Sequence, residues 1–282
     1  MIALVNTSPV MVARKDREGW LDLFSSNGAV DDPVGAGPNR KGRDRRGGKD
    51  GLGRFYDIFI GPNRIDFDVH RDVACGDELA RDVSIRTTFG SGAVLVVHCY
   101  VLFRIVEEGG RLRLESLRAH WDFIRSCVDL IKGNGFRGLS AALVQFGSMI
   151  RVQGPARVME YFGVAYRGIR KEGVRKAAAL AAALSARNDA SPSTTGEAAL
   201  ARLVEPGATV DFPAGSPPVS WADFLSGPAR GLSLELQGLR SGGWFTSGRF
   251  RLSGGGPDRD GVVFLEFSPR SRRIVRVRFF WD

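Results

Sequence analysis

Two stretches of this 282-residue chain begin and finish alike, and that constrains the fold more than any other feature. The first opens on a helical pattern over residues 10–24, where Trp20, Leu21 and Phe24 fall at helical spacing. It runs into Gly28-Ala29-Val30-Asp31-Asp32-Pro33-Val34-Gly35. The second has a helical stretch over 198–204 that runs into Gly207-Ala208-Thr209-Val210-Asp211-Phe212-Pro213-Ala214-Gly215. Each then passes through strand-like segments and finishes on Trp-Asp, at Trp121-Asp122 and Trp281-Asp282. A shared start and a shared end in the same order predict two copies of one fold. The expected division is residues 1–122, a helical connector over 123–171, and a second copy over 172–282.

The strands are clearest near those ends. Val275, Val277, Phe279 and Trp281 share one face of a strand, with Arg276 and Arg278 on the other. In the first copy Leu117, Ala119 and Trp121 share a face, while Leu112 and Leu114 have the opposite parity; a β-bulge between Leu114 and Leu117 reconciles them. Glu107-Glu108-Gly109-Gly110 signals a hairpin to the strand over 93–106, which is apolar on both faces and therefore central. Residues 66–73 and 82–89 supply two more strands. Helices first, then antiparallel strands, predict an α+β chain: two domains, each a curved sheet wrapped by its N-terminal helices. Between them, residues 171–187 form a helix opening the second copy, and 188–193 a loop.

Charge narrows the partners. The formal net charge is +9, but residues 40–54 carry +5 and residues 125–176 carry +7, which leaves the rest at −3. The first segment reads as a mobile surface loop and contains no aromatic interleaved with its basic residues until Phe55 follows it. No nucleic-acid partner is therefore expected. The connector is basic and apolar together, which makes a membrane-surface contact its candidate role. The longest mainly apolar run, residues 139–150, is short of the ~20 that a spanning helix needs. The N-terminal MIALVNTSPVMVARKD lacks the order of a signal peptide. Three cysteines without CxxC spacing (Cys75, Cys99, Cys127) read as reduced thiols, so a cytoplasmic protein without cofactor or metal is expected.

The Gly28–Gly35 segment, followed by Arg46-Gly47-Gly48-Lys49-Asp50-Gly51-Leu52-Gly53-Arg54-Phe55-Tyr56, resembles the start of a ketosteroid-isomerase-like domain. The hairpin through Gly109-Gly110-Arg111-Leu112 to His120-Trp121 resembles the end of one. The resemblance is to the nuclear transport factor 2-like superfamily, which includes the SnoaL-like polyketide cyclases and limonene-epoxide hydrolase. It covers about residues 8–122, is weaker over 172–282, and is silent on the connector. It implies a cone-shaped sheet around an apolar pocket, with lipophilic small molecules as substrates. It also implies that the two copies pair inside one chain, giving a monomer.

The resemblance places Asp32 where the isomerases have their general base, a carboxylate that burial tunes toward proton transfer. Their oxyanion pair is replaced: Ser8 stands at the tyrosine position and the acid position falls at or near Leu102. His98 and Tyr100 share a strand face with Leu102 and are the substitute donors expected. Phe55, Tyr56, Leu102, Leu117 and Trp121 are the expected pocket wall. In the second copy the pair has become Phe212-Pro213, with Asp211 turned to the other face, so a non-catalytic pocket lined by Val275, Val277, Phe279 and Trp281 is expected. Asp66, Asp68, His70 and Asp72 alternate along one strand face, and linear i, i+2 spacing converges poorly on one ion, so that face reads as wet. Asp66 or Asp68 would serve as a second acid in an epoxide-opening alternative. A non-catalytic ligand-binding or assembly module is the other alternative.

Overall fold

The computed structural model describes residues 1–42, 50–188, 194–254 and 257–282. Most of the basic loop, residues 43–49, and most of the 188–193 loop therefore lie outside the described residues. The helical stretch over 10–24 is two helices: α1 (Ile2–Arg14) ends at Lys15 with φ 57°, and α2 (Arg17–Asp22) follows. The Asp16 carboxylate accepts the Gly19 N–H at 2.8 Å and so caps α2. Phe24 already belongs to a strand.

The first sheet contains β1 (Phe24–Asp31), β2 (Asn39–Arg40), β3 (Arg64–Cys75), β4 (Glu78–Thr88), β5 (Val94–Glu108) and β6 (Arg111–His120), in the order β2-β1-β6-β5-β4-β3. Helix α3 (Gly51–Phe55) and a π-helical turn (Tyr56–Ile60) lead into β3. As its two apolar faces required, β5 is central. Gly109 and Gly110 close the β5–β6 hairpin with φ of 62° and 73°, the positive values its tight turn demands. The sheet is mixed rather than antiparallel throughout, because β1 runs parallel to β6. A parallel neighbour needs a long crossover, which the meander between them supplies.

Helices α4 (Phe123–Asn134), α5 (Phe136–Gln153) and α6 (Pro155–Tyr166) follow. Asp122 ends the last strand and starts α4, since its carboxylate accepts the Arg125 N–H at 3.0 Å. These helices pack on the first copy. Met149, Val158 and Tyr161 cluster with Ala36 and Ile58, and Leu130 and Ala141 cluster with Ala93. By contacts the chain divides into unit 1, Met1–Asp72 with Arg81–Arg167, and unit 2, Val73–Ala80 with Gly168–Asp282. No helix among the described residues is long and apolar enough to cross a membrane.

The second copy repeats the first. After α7 (Arg170–Asn188) and α8 (Thr194–Leu203) come β7 (Val204–Asp211), β8 (Val219–Ser220), α9 (Trp221–Ser226), β9 (Ser233–Gly242), β10 (Phe245–Ser253), β11 (Arg259–Phe267) and β12 (Ile274–Phe280). Their order is β8-β7-β12-β11-β10-β9, the first sheet's order over again. The irregularities repeat too. Arg104 pairs with Ser116 but Ile105 with Leu114, so Glu115 is the extra residue of a bulge between Leu114 and Leu117, as expected. Glu266 pairs with Arg276 but Phe267 with Ile274, so Val275 is its counterpart. That bulge corrects the expected face: Ile274, not Val275, joins Val277 and Phe279 in the unit 2 core.

Candidate active site

Register decides which side chains meet Asp32. Residues directly opposite one another on paired strands share a face. Val30 lies opposite Leu117, and Val101 and Phe103 lie opposite Ala119 and Leu117. Asp32 therefore continues a face formed by Val30, Leu117, Ala119 and Trp121, with Cys99, Val101 and Phe103 from the central strand. Trp121 confirms this placement, since its indole Nε1–H donates to Asp32 Oδ1 at 2.6 Å.

Tyr100 lies opposite His120, and Leu102 and Asp31 lie opposite Arg118. These residues and His98 occupy the other face. The structure does not bring His98, Tyr100 or Leu102 to Asp32. The parity that grouped the three is right, and the expected side is corrected: the odd residues of β5 share the Asp32 face. Tyr100 is fully buried, and its ring packs edge-on against His98 at 5.1 Å. Leu117 and Trp121 share the Asp32 face, half-buried. Phe55 and Tyr56 are buried beside Trp20, with ring centroids 6.3 and 5.6 Å away. Phe55 connects through Phe59 (5.0 Å) to Tyr161 (5.7 Å from Phe59). Ser8, at the expected tyrosine position, accepts the Trp20 indole N–H at 3.0 Å and is buried.

Tyr161 is the neighbour that the sequence did not disclose. Its hydroxyl donates to the Asp32 backbone carbonyl at 3.2 Å across 129 positions of sequence. Helix α6 thus brings a phenol hydroxyl to the Asp32 backbone. No local pattern marks such a contact, and the resemblance stops before α6.

The electrostatics follow from these surroundings. Burial among apolar groups pushes the Asp32 carboxyl up to about 6; the Trp121 N–H pulls it down in part, and the Asp31 charge adds to the rise. Burial also holds the Cys99 thiol well above its usual range, so this neighbour on the same face is no thiolate. At neutral pH Asp32 is chiefly a carboxylate, yet it is protonated within a pH unit or so of neutrality. Such a group both takes and returns protons.

Unit 2 keeps the scaffold and loses the acid. Phe212 stands at the Asp32 position, against Phe224, Phe279 and Trp281 at 5.2, 5.5 and 4.6 Å. Asp211 turns to the other face as expected, where it is buried and ion-paired with Arg276 at 2.7 Å and Arg278 at 3.1 Å. A cavity of about 300 Å³ opens beside Phe212, lined also by Leu232, Leu252, Arg230 and Arg259.

The strand over residues 64–75 does not keep the single wet face expected of it. Asp72 meets buried Arg81 at 2.7 Å, and Arg81 also bonds Asn6 of α1. His70 instead meets Ser84 at 2.8 Å and the His98 ring at 5.6 Å. His70 and Asp72 thus meet different partners on β4. Asp66 and Asp68 are exposed, at 48% and 79% of their side-chain surface, and neither serves as a second acid beside Asp32.

Residues 9–114 match the family model described as a SnoaL-like domain. Most of the matched residues lie in unit 1. The comparison with curated proteins found no match. Among solved structures, a Δ5-3-ketosteroid isomerase from Mycobacterium sp. is 29% identical, over 44% of this chain and 94% of that one, with a TM-score of 0.37. The Mycobacterium tuberculosis protein RV0760c in complex with estradiol-17β-hemisuccinate is 25% identical, over 44% and 94%, with a TM-score of 0.36. An LEH-like epoxide hydrolase of M. tuberculosis is 17% identical, over 51% and 94%, with a TM-score of 0.36.

Proposed function

We propose that the SnoaL-like unit 1 is an acid/base site for a lipophilic small molecule, with Asp32 as the proton carrier, in a steroid-isomerase-like or polyketide-cyclase-like reaction. One observation carries this reading: a carboxylate held at 2.6 Å by the Trp121 indole in an apolar surround, with its pKa raised to about 6. In such chemistry the carboxylate removes a proton from the carbon beside a carbonyl and returns it to another carbon. Desolvation makes Asp32 a stronger base than an aqueous carboxylate. The Trp121 N–H fixes which oxygen faces the substrate. Tyr161, whose hydroxyl rests on the Asp32 backbone carbonyl, is the donor nearest to hand for a developing enolate.

The isomerase or cyclase reading is favoured over epoxide opening because the second acids expected for the latter stand exposed on β3. The test is turnover of a 5-ene-3-ketosteroid and of a panel of aromatic polyketide precursors by wild type and Asp32→Asn. Loss of a positioned proton carrier is expected to lower the rate by ~10²–10⁴. Equal rates in the two proteins remove Asp32 from the mechanism. Saturable binding without turnover supports the non-catalytic alternative.

A second proposal concerns the partner of α4–α6. On α5, Phe136, Leu139, Leu143 and Ile150 form an exposed apolar stripe, joined by Val144, and Phe136 and Val144 are 83% and 66% exposed. Arg137 and Arg151 are exposed on the same helix. An apolar stripe edged by arginines fits an anionic lipid surface. Wild type is expected to sediment with phosphatidylserine vesicles at low salt, and Leu143→Glu with Val144→Glu is expected to stay in solution. Absent sedimentation, or equal sedimentation of the variant, contradicts the proposal. A dimer that this variant dissociates would show a second copy as the true occupant.

A further inference from the structure

The chain has three histidines, and all three fall on one face of the first sheet. His98 and Tyr100 share that face, and His120 lies opposite Tyr100. His70 reaches the same face from β3, where its ring meets that of His98. Between the two rings, on β4, stands the Asp82 carboxylate.

We propose that His70, Asp82 and His98 bind a divalent transition-metal ion on this face, away from Asp32. The three ligand atoms come from three neighbouring strands and lie within 4.8 Å of one another. This is the convergence that i, i+2 spacing on a single strand lacks. His98 Nε2 is 2.6 Å from Asp82 Oδ1, so two of the donors already share one point. Metal–nitrogen and metal–oxygen bonds of ~2.0–2.2 Å need only a small adjustment of the third.

The surroundings favour a ligand role. His70 Nδ1 lies 4.0 Å from the Asp68 carboxylate, while Nε2 points to Ser84 Oγ at 2.8 Å. A carboxylate beside Nδ1 favours the tautomer whose Nε2 lone pair is available to a metal. The Asp82 side chain is 1% exposed and that of His70 is 32% exposed. The site therefore has a buried anionic floor and an open side, with room for water as a further ligand. Two imidazoles and one carboxylate suit zinc, cobalt or nickel better than calcium or magnesium.

The test uses the full chain, stripped with a chelator and titrated with Co²⁺ by visible absorption and with Zn²⁺ by calorimetry. One ion per chain is expected, with a d–d spectrum of nitrogen and oxygen ligands. His70→Ala, at an exposed position that leaves the core intact, and His98→Gln are each expected to abolish saturable binding while retaining the wild-type circular dichroism. Asp68→Asn is expected to weaken binding by ~10-fold or more. Three results would overturn the site. These are no saturable binding to wild type, unchanged affinity in both histidine variants, or a thiolate charge-transfer band that puts the ion on cysteine. None of these results bears on Asp32, which lies on the opposite face.

Discussion

At the residue scale, the two aspartates before the prolines' neighbours show how one position changes a side chain's fate. Asp31 and Asp211 face away from the core side of their sheets, and Asp211 is neutralised by Arg276 and Arg278. Asp32 faces the apolar side with an indole N–H on its carboxylate oxygen, and its pKa rises to about 6 from an ordinary 3.8. The sign of the consequence is fixed. Because the folded-state value is the higher one, ionising Asp32 costs the folded state, so its protonated form is the comfortable one. The stability it contributes is fully present below about pH 4, is lost as pH rises toward 6, and stays lost above. The whole difference is about 3 kcal/mol. Asp32→Asn keeps an acceptor for Trp121 and has no charge to bury. Urea denaturation is therefore expected to show the variant more stable than wild type at pH 7 by up to about 3 kcal/mol, with the gap closing near pH 4. A gap independent of pH would mean that Asp32 is not desolvated as described. The identity of this residue was legible in the Asp-Pro pair. Its neighbours were only half legible: Trp121 closes the local pattern, while Tyr161 sits on a helix that no motif ties to the site.

At the scale of elements, a single extra residue organises each sheet. Glu115 in unit 1 and Val275 in unit 2 each shift the register against the antiparallel neighbour, while against the parallel neighbour β1 and β7 advance five residues for two of β6 and β12. The period-two pattern exposed the first bulge, because Leu112 and Leu114 disagree in parity with Leu117 and Trp121. The second was hidden: Val275, Val277 and Phe279 alternate so regularly that the apolar valine reads as core. Burial overrides the pattern there, since Ile274 fills the position instead. Face assignment on β5 failed for a similar reason. That strand is apolar on both sides, so parity grouped His98, Tyr100 and Leu102 correctly without showing which side is inward. Deleting Glu115 is expected to turn Leu117, Ala119 and Trp121 out of register with β5 or β1, because one residue's slip reverses a strand's faces. Thermal unfolding should then show loss of the unit 1 transition, with the far-ultraviolet signal of unit 2 retained. A protein lacking Glu115 with wild-type melting would show that the bulge does not set the register.

At the scale of the whole molecule, the repeat with which the sequence opens means more than two domains of one shape. Sheet order, the parallel pair, the bulge and the Trp-Asp ending are all kept in both copies. The group beside the proline differs: Asp32 in one copy and Phe212 in the other. Unit 1 therefore has a carboxylate at that position and unit 2 a phenyl ring, which is why the proposed chemistry is placed in unit 1. The excess positive charge also has a place. Part of it edges the exposed stripe of α5, and part lies in residues 43–49, outside the described structure. The most direct measurement of this account is the pH dependence of kcat/KM on a turned-over ketone substrate, for wild type and Asp32→Asn. The wild-type limb is expected to rise with pH through about 6, as the Asp32 carboxylate ionises, and Asp32→Asn is expected to be far slower with that limb gone. The same limb in Asp32→Asn, at an undiminished rate, would contradict it.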